Sequence, residues 1–313
     1  MQLPPVVQSS TAKSMGMDQS LFSLLQTPEN TVPLSLQYRM NQSIQDIANF
    51  MTYEGHLECG NDQVANQQTV LKVNAPGDLL QWPSFFPREF RNKSVVFFDT
   101  TAPSSSTMFE SKDDLGICNH GEANFVGQLA KLAKKMEVVD GGKVDENDSY
   151  SKSDFANYVQ FHEIIELFLQ ITCNFTKLLN FFNFLGENCA SATVGIIAPY
   201  RAQVGILRKL LSPAVFSFSD INTVDQFQGR DKDIIIYSCT RTTIAKNNNT
   251  TSEKKNIDET IMNDWRRLNV AVTRPKSRLW IVGNVEALET YEPFRKLIEY
   301  LKQKDYVCTI SMD

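Results

Sequence analysis

The chain has 313 residues, 42% of them hydrophobic, enough for one large domain or two modest ones with proper cores, and its composition argues against disorder throughout. A formal net charge of −5 excludes attraction of the whole molecule to phosphate backbones, so any nucleic-acid contact must be local. Six cysteines without a C-x-x-C pair and three scattered histidines fit neither a disulfide framework nor a zinc knuckle; reduced, buried thiols and no metal site are expected.

The start, MQLPPVVQSS, lacks the basic and apolar regions of a secretory signal, and the chain reads as intracellular. Gln37-Tyr38-Arg39-Met40 precedes a helix-like stretch from Ser43 to Met51. Residues Gly60 to Pro87, with scattered Pro, Gly, Asn and Gln, read as a long surface loop or small β excursion. Strands are expected at Ser94 to Asp99, Thr193 to Ala198, Asp233 to Cys239 and Arg278 to Val282, near-continuous apolar runs of the kind buried on both sheet faces. Glu137 to Ser153 and Thr242 to Glu259 read as solvated linkers by composition. The apolar stretch Ile164 to Leu185 is interrupted by Glu166, Gln170, Asn174, Lys177, Asn180 and Asn183 and does not read as a membrane span. Thr193 to Ala198 ends at Pro199 and leads into a helix, Arg201 to Leu211, with Val204, Leu207, Leu210 and Leu211 on one face. Alternation of apolar runs and helical patterns predicts an α/β fold, a parallel sheet flanked by helices.

Four clusters could carry chemistry. Asn222 to Asp233 sets polar residues and Gly229 directly before an apolar strand, where the backbone can approach a ligand closely and Thr, Gln and Asp can reach phosphate or ribose; an ordinary turn is the bland reading. Asp264 to Lys276 combines cations with apolar positions. Arg274 falls where its helix must stop, because Pro275 disfavours helical geometry in the residue before it. From such an end an arginine can reach a transferring phosphoryl group, whereas a solvated basic face would do nothing. Pro199-Tyr200-Arg201 lies at the carboxyl end of a strand, where open α/β sheets gather ligands, and an aromatic beside an arginine suits a single strand of nucleic acid. Gln37 to Met40 is the fourth, although a Tyr-Arg pair is more often structural.

Read in order, QLPP, QYRM, GIIAPYRAQ, NTVDQFQGRDKD and RRLNVAVTRPK resemble the motifs of the second RecA-like motor domain of superfamily-one helicases of the Upf-like branch. With Met51 to Gly60 and DWRRLNVA, the chain most resembles the helicase/nuclease type of eukaryotic DNA replication. The resemblance implies a RecA-like, P-loop NTPase-type second domain: residues 1–60 its start with the tail of the preceding motif, 61–135 a variable loop, strand and helix, 136–190 an insertion or linker, and 191–313 the core. It implies that Arg39 and Arg274 act as arginine fingers, that Gln2, Tyr38, Gly229 and Asp231 line the nucleotide cleft, and that Pro199, Tyr200, Arg201 and Thr223 grip single-stranded DNA. ATP and Mg2+ would be used only together with the first RecA-like domain, an iron-sulfur cluster would sit only in a nuclease part elsewhere, and replication or repair proteins would be partners, in the nucleus or also the mitochondrion. No membrane association is expected.

Three departures matter. The Gly-Asp that normally precedes Gln2 is missing, Pro275 stands where the family usually has alanine, and no G-x-x-x-x-G-K-[ST] occurs: Gly141-Gly142-Lys143-Val144 lacks the first Gly, the spacing and the hydroxyl. The chain is therefore expected to be a truncated helicase without turnover of its own. A non-catalytic module that binds single strands or a partner helicase, and an RNA helicase fragment of the same branch, are the alternatives.

Overall fold

The computed structural model describes residues 7, 9–71, 82–83, 85–101, 108–113, 116–139, 190–211, 216–217, 220–243 and 261–310. Its centre is a six-stranded, all-parallel sheet of β1 (Val95–Asp99), β2 (Val194–Ala198), β3 (Ile221–Thr223), β4 (Lys232–Ser238), β5 (Pro275–Gly283) and β6 (Val307–Thr309), in the order β3-β2-β4-β5-β1-β6. The four apolar runs become the four inner strands because only positions covered on both faces can leave no polar alternation. Within each strand the pleat sends side chains alternately to two cores. Val96, Phe98, Ile234, Ile236, Trp280 and Val282 join one, and Val95, Phe97, Ile235, Tyr237, Leu279 and Ile281 the other.

Helices cover both faces, as parallel crossovers require. On the first core lie α2 (His120–Ala133) and α3 (Arg201–Leu210), and on the second α1 (Gln42–Ala48), α4 (Trp265–Val272) and α5 (Glu292–Gln303). Asn41, Asn119 and Asp264 cap α1, α2 and α4 through side-chain oxygens that accept backbone N–H bonds. Of the apolar face expected on α3, Val204, Leu207 and the following Leu211 are buried, whereas Leu210 is exposed.

Two edge strands were not expected from the sequence. Strand β3 lies inside the polar run at Asn222, and β6 is three residues long; neither carries the apolar run that marks a buried strand. Part of Gly60 to Pro87 is a small β excursion: Gln68–Leu71 pairs antiparallel with Met136–Val139, which pairs with Ala190–Ser191. The segment expected to be linker from Glu137 thus begins as strand. Residues 140–189, including the stretch Ile164 to Leu185, and residues 244–260 of the second linker lie outside the described ones.

Arg278 ties the small sheet to β5. It is fully buried, donates from Nε to Thr69 Oγ1 and from Nη2 to Thr69 O (both 3.0 Å) and from Nη1 to Arg91 O at 2.9 Å, and lies 5.7 Å from the Trp280 ring. Burial alone pulls its pKa down to about 10. A lysine there keeps the charge but not the fork, leaving two carbonyls short of donors. We expect R278K to lower unfolding stability by about 2 kcal/mol, read as a shift of the urea midpoint at unchanged slope.

No helix among the described residues is long and apolar enough to cross a membrane. Cys118, Cys239 and Cys308 are buried free thiols and Cys59 is half-buried.

Candidate nucleotide and nucleic-acid site

The candidate residues sort to opposite edges of the sheet. At the amino edge, β4 and β5 begin side by side, with Lys232 opposite Pro275. The turn before β4 carries Gly229 with φ +81, a left-handed backbone that suits glycine, and then Asp231. Before β5, α4 ends at Val272, and Arg274 lies between its cap and the first strand residue. Pro275 fits that place, since the first residue of a strand tolerates a missing N–H. The Lys232 N–H donates to Arg274 O at 3.3 Å and Lys276 pairs with Asp231 at 3.1 Å, locking the two turns together.

Arg39 reaches the same place from far away in sequence. The Gln37 side chain accepts from the N–H groups of Arg39 (2.8 Å) and Met40 (2.7 Å) and donates to Gln45 Oε1, which pins the turn before α1. Asn41 then moors the turn to β5: its N–H donates to Lys276 O, and its Nδ2 to Ser277 O, Ser94 Oγ and Gln67 O. As a result Arg39 Nη1 donates to Thr273 O at 3.4 Å, while Arg274 donates from Nε to Val270 O and from Nη2 to Thr273 Oγ1, each at 3.1 Å.

Two guanidiniums thus share one helix end, and neither forms an ion pair among the described residues. Burial, and then the charge of Arg39, pull the Arg274 pKa down to about 10, with Tyr53 and Asp231 acting in the opposite sense. Arg274 remains charged at neutral pH. Holding like charges together costs free energy that an incoming anion would offset. The pair fits a phosphate. For Mg2+ the described residues hold no group of three or more metal-ligating side chains. Tyr38, beside Arg39, is exposed and lies over Gly60, where any Cβ would fall 2.1 Å from its ring. Gln2 lies outside the described residues.

At the carboxyl edge, Pro199 to Arg201 follow β2, and Thr223 ends β3 opposite Ala198. Arg201 is exposed and Pro199 half-buried. Tyr200 departs from the expected stacking aromatic: it is only 4% exposed, packs in the second core and hydrogen-bonds Arg241. A ring so enclosed offers no face to a base; it braces the edge instead. Thr223 is 9% exposed.

A network not expected from the sequence stands behind this edge. Glu122, fully buried in the first turn of α2, accepts through Oε1 from the Ser238 hydroxyl at 2.5 Å and the Thr240 N–H at 2.8 Å, while Oε2 has no hydrogen-bond partner among the described residues. Burial pushes its pKa up to about 7 against both bonds. Gln203 joins Ser238 to Asn119, and Thr240 has φ +72, strained for a β-branched residue. Beyond it, Arg241 pairs with Glu110 at 3.2 Å, and Glu110 also accepts from the N–H groups of Thr242 and Thr243. The polar run Ser238 to Thr243 at the carboxyl end of an apolar strand was the available signal. Glu122 had none, being a lone acid in a helix.

A family model described as an AAA domain matches residues 17–141 and 130–286. The chain belongs to this family. Within it, the chain is a helicase motor domain of the Upf-like superfamily-one type, with the RecA-like sheet described above. It is 31% identical, over 98% of its length, to the DNA replication ATP-dependent helicase/nuclease DNA2 of Bos taurus and equally to that of Homo sapiens. To the Saccharomyces cerevisiae protein of the same name it is 27% identical over 100% of its length. The chain spans 24% of the first two relatives and 17% of the third.

Proposed function

We propose that the chain is one half of an ATP-driven DNA helicase motor. Arg39 and Arg274 act as arginine fingers on a nucleotide whose phosphates a first RecA-like domain holds, and Pro199, Tyr200, Arg201 and Thr223 serve the contact with single-stranded DNA. The observation that carries this reading is the convergence of two guanidiniums, without carboxylate partners among the described residues, at the amino edge. Such a pair stabilises charge that develops on the transferring phosphoryl oxygens. Gly229 lets the backbone come close there, and Asp231, tied to Lys276, holds the turn. Mg2+, bound with ATP by the other domain, would neutralise the phosphate charge.

The sheet spans the two edges, so closure on nucleotide at one displaces the other as a rigid body. Arg201 supplies a cation to the DNA backbone, Tyr200 sets the edge from beneath, and Thr223 lies in the neighbouring strand. DNA replication is the setting in the relatives' names; a nuclear place and a share in repair belong to this proposal.

The purified 313-residue chain is expected to show no ATP hydrolysis above background in a phosphate-release assay. Joined to the first motor domain of the same protein, it is expected to show turnover stimulated by single-stranded DNA. Robust turnover by the chain alone overturns the reading.

A further inference from the structure

The basic run that opens α4 is only partly used by the function proposed above. Arg267 is engaged within the fold, holding Asp225 from Nε and Asp264 from Nη1, each at 3.0 Å. Asp225 follows Thr223 by two residues, so this clamp sets the first turn of α4 beside the carboxyl edge, while the helix runs down to Arg274 at the amino edge. At that first turn Trp265 is half-buried and Arg266 exposed. The Arg266 guanidinium lies 5.2 Å from the centre of the Trp265 ring and forms no ion pair among the described residues.

We infer that Trp265 and Arg266 form a stacking platform for a base of single-stranded DNA, extending the contact surface beyond Pro199, Arg201 and Thr223. The inference rests on the reading of the carboxyl edge as the DNA side. A single strand presents a π face and a phosphate at every nucleotide, and stacking on an aromatic tolerates any base. Indole and guanidinium are both planar, and the arginine brings the cation that an adjoining phosphate needs. Tyr200, being enclosed, leaves the edge without the stacking side chain its chemistry calls for; Trp265 supplies it. Local placement also answers the net charge of −5: the attraction is concentrated where the strand passes.

The test uses the full-length protein and a fluorescein-labelled oligothymidylate, with affinity measured by anisotropy at stepped salt for W265A, W265F, R266A and R201A. W265A is expected to weaken binding by about 5- to 150-fold with an unchanged salt slope. R266A is expected to weaken it and to reduce the log–log salt slope by about 0.7. W265F keeps a ring and the packing, so it is expected to bind within a few-fold of wild type while losing the share of the oligonucleotide's quenching of tryptophan fluorescence that arises at Trp265. W265A and R266A binding like wild type, with R201A weakened, overturns the platform and leaves the carboxyl-edge reading intact. R201A unaffected, with W265A and R266A weakened, supports the platform and moves the DNA path away from Arg201. No binding by wild type overturns both, and quenching undiminished in W265F overturns the platform.

Discussion

Replacing Arg274 by alanine in the full-length protein should lower kcat for DNA-stimulated ATP hydrolysis by about 10³- to 10⁵-fold and leave nucleotide affinity within a few-fold of wild type. The reason is timing. A guanidinium that meets charge developing on the phosphoryl oxygens acts in the transition state, so its loss appears in kcat and not in binding. Arg39→Ala should behave alike, because both side chains hang on the same helix end through Thr273. The double variant should fall short of the product of the single effects, as is usual for groups serving one charge. R274K should not rescue, since a lysine can neither fork between Val270 O and Thr273 Oγ1 nor project from the same anchor. Stopped-flow nucleotide binding beside steady-state hydrolysis decides the matter. Loss of binding equal to the loss of turnover would assign Arg274 to holding the ground state.

Glu122→Gln should stabilise the fold at pH 8 and change it little at pH 5. Burial raises the folded pKa of Glu122 from its ordinary 4.5 to about 7, so between these values the folded state holds the proton more tightly than the unfolded one. Stability from this group is fully present below pH 4.5 and is lost as pH rises through 7, by roughly 3 kcal/mol in all. Cys239 and Tyr237, whose pKa values burial pushes well up, stay neutral in this window and do not contribute. Glutamine carries no charge to bury and can still accept from Ser238 and Thr240, so above pH 7 it should recover up to that amount. Chemical unfolding of both proteins at pH 5 and pH 8 measures it. Equal stability differences at the two pH values would mean that Glu122 stays ionised in the fold.

Much of the architecture is written in short stretches. The four inner strands appear within three residues of where their apolar runs place them, because a strand buried on both faces has no polar position to hide its signal. Residue 272 ends α4 as Pro275 requires, and the polar lead-in to β4 with Gly229 is the turn its composition suggests. The edge strands β3 and β6 were not legible, since edges are short and tolerate Asn and Thr. Tyr200 shows the limit for single residues: a tyrosine beside an arginine reads as a stacking pair, yet it is buried in a core built with residues of α1, α4 and α5, far away in the chain.

The sequence by itself determined the class of fold, the inner strands and the end of α4 before Pro275, because each depends on periodicity and side-chain chemistry over a few neighbouring positions. Only the tertiary structure decided that Arg39 and Arg274, 235 positions apart by their numbers, share one helix end, that the candidate residues for the nucleotide and for the DNA lie on opposite edges of the sheet, and that Glu122 stands buried behind one of them. Those facts follow from parallel crossovers and strand register. Both are set by which faces pack together across the whole chain, and no local stretch carries that information.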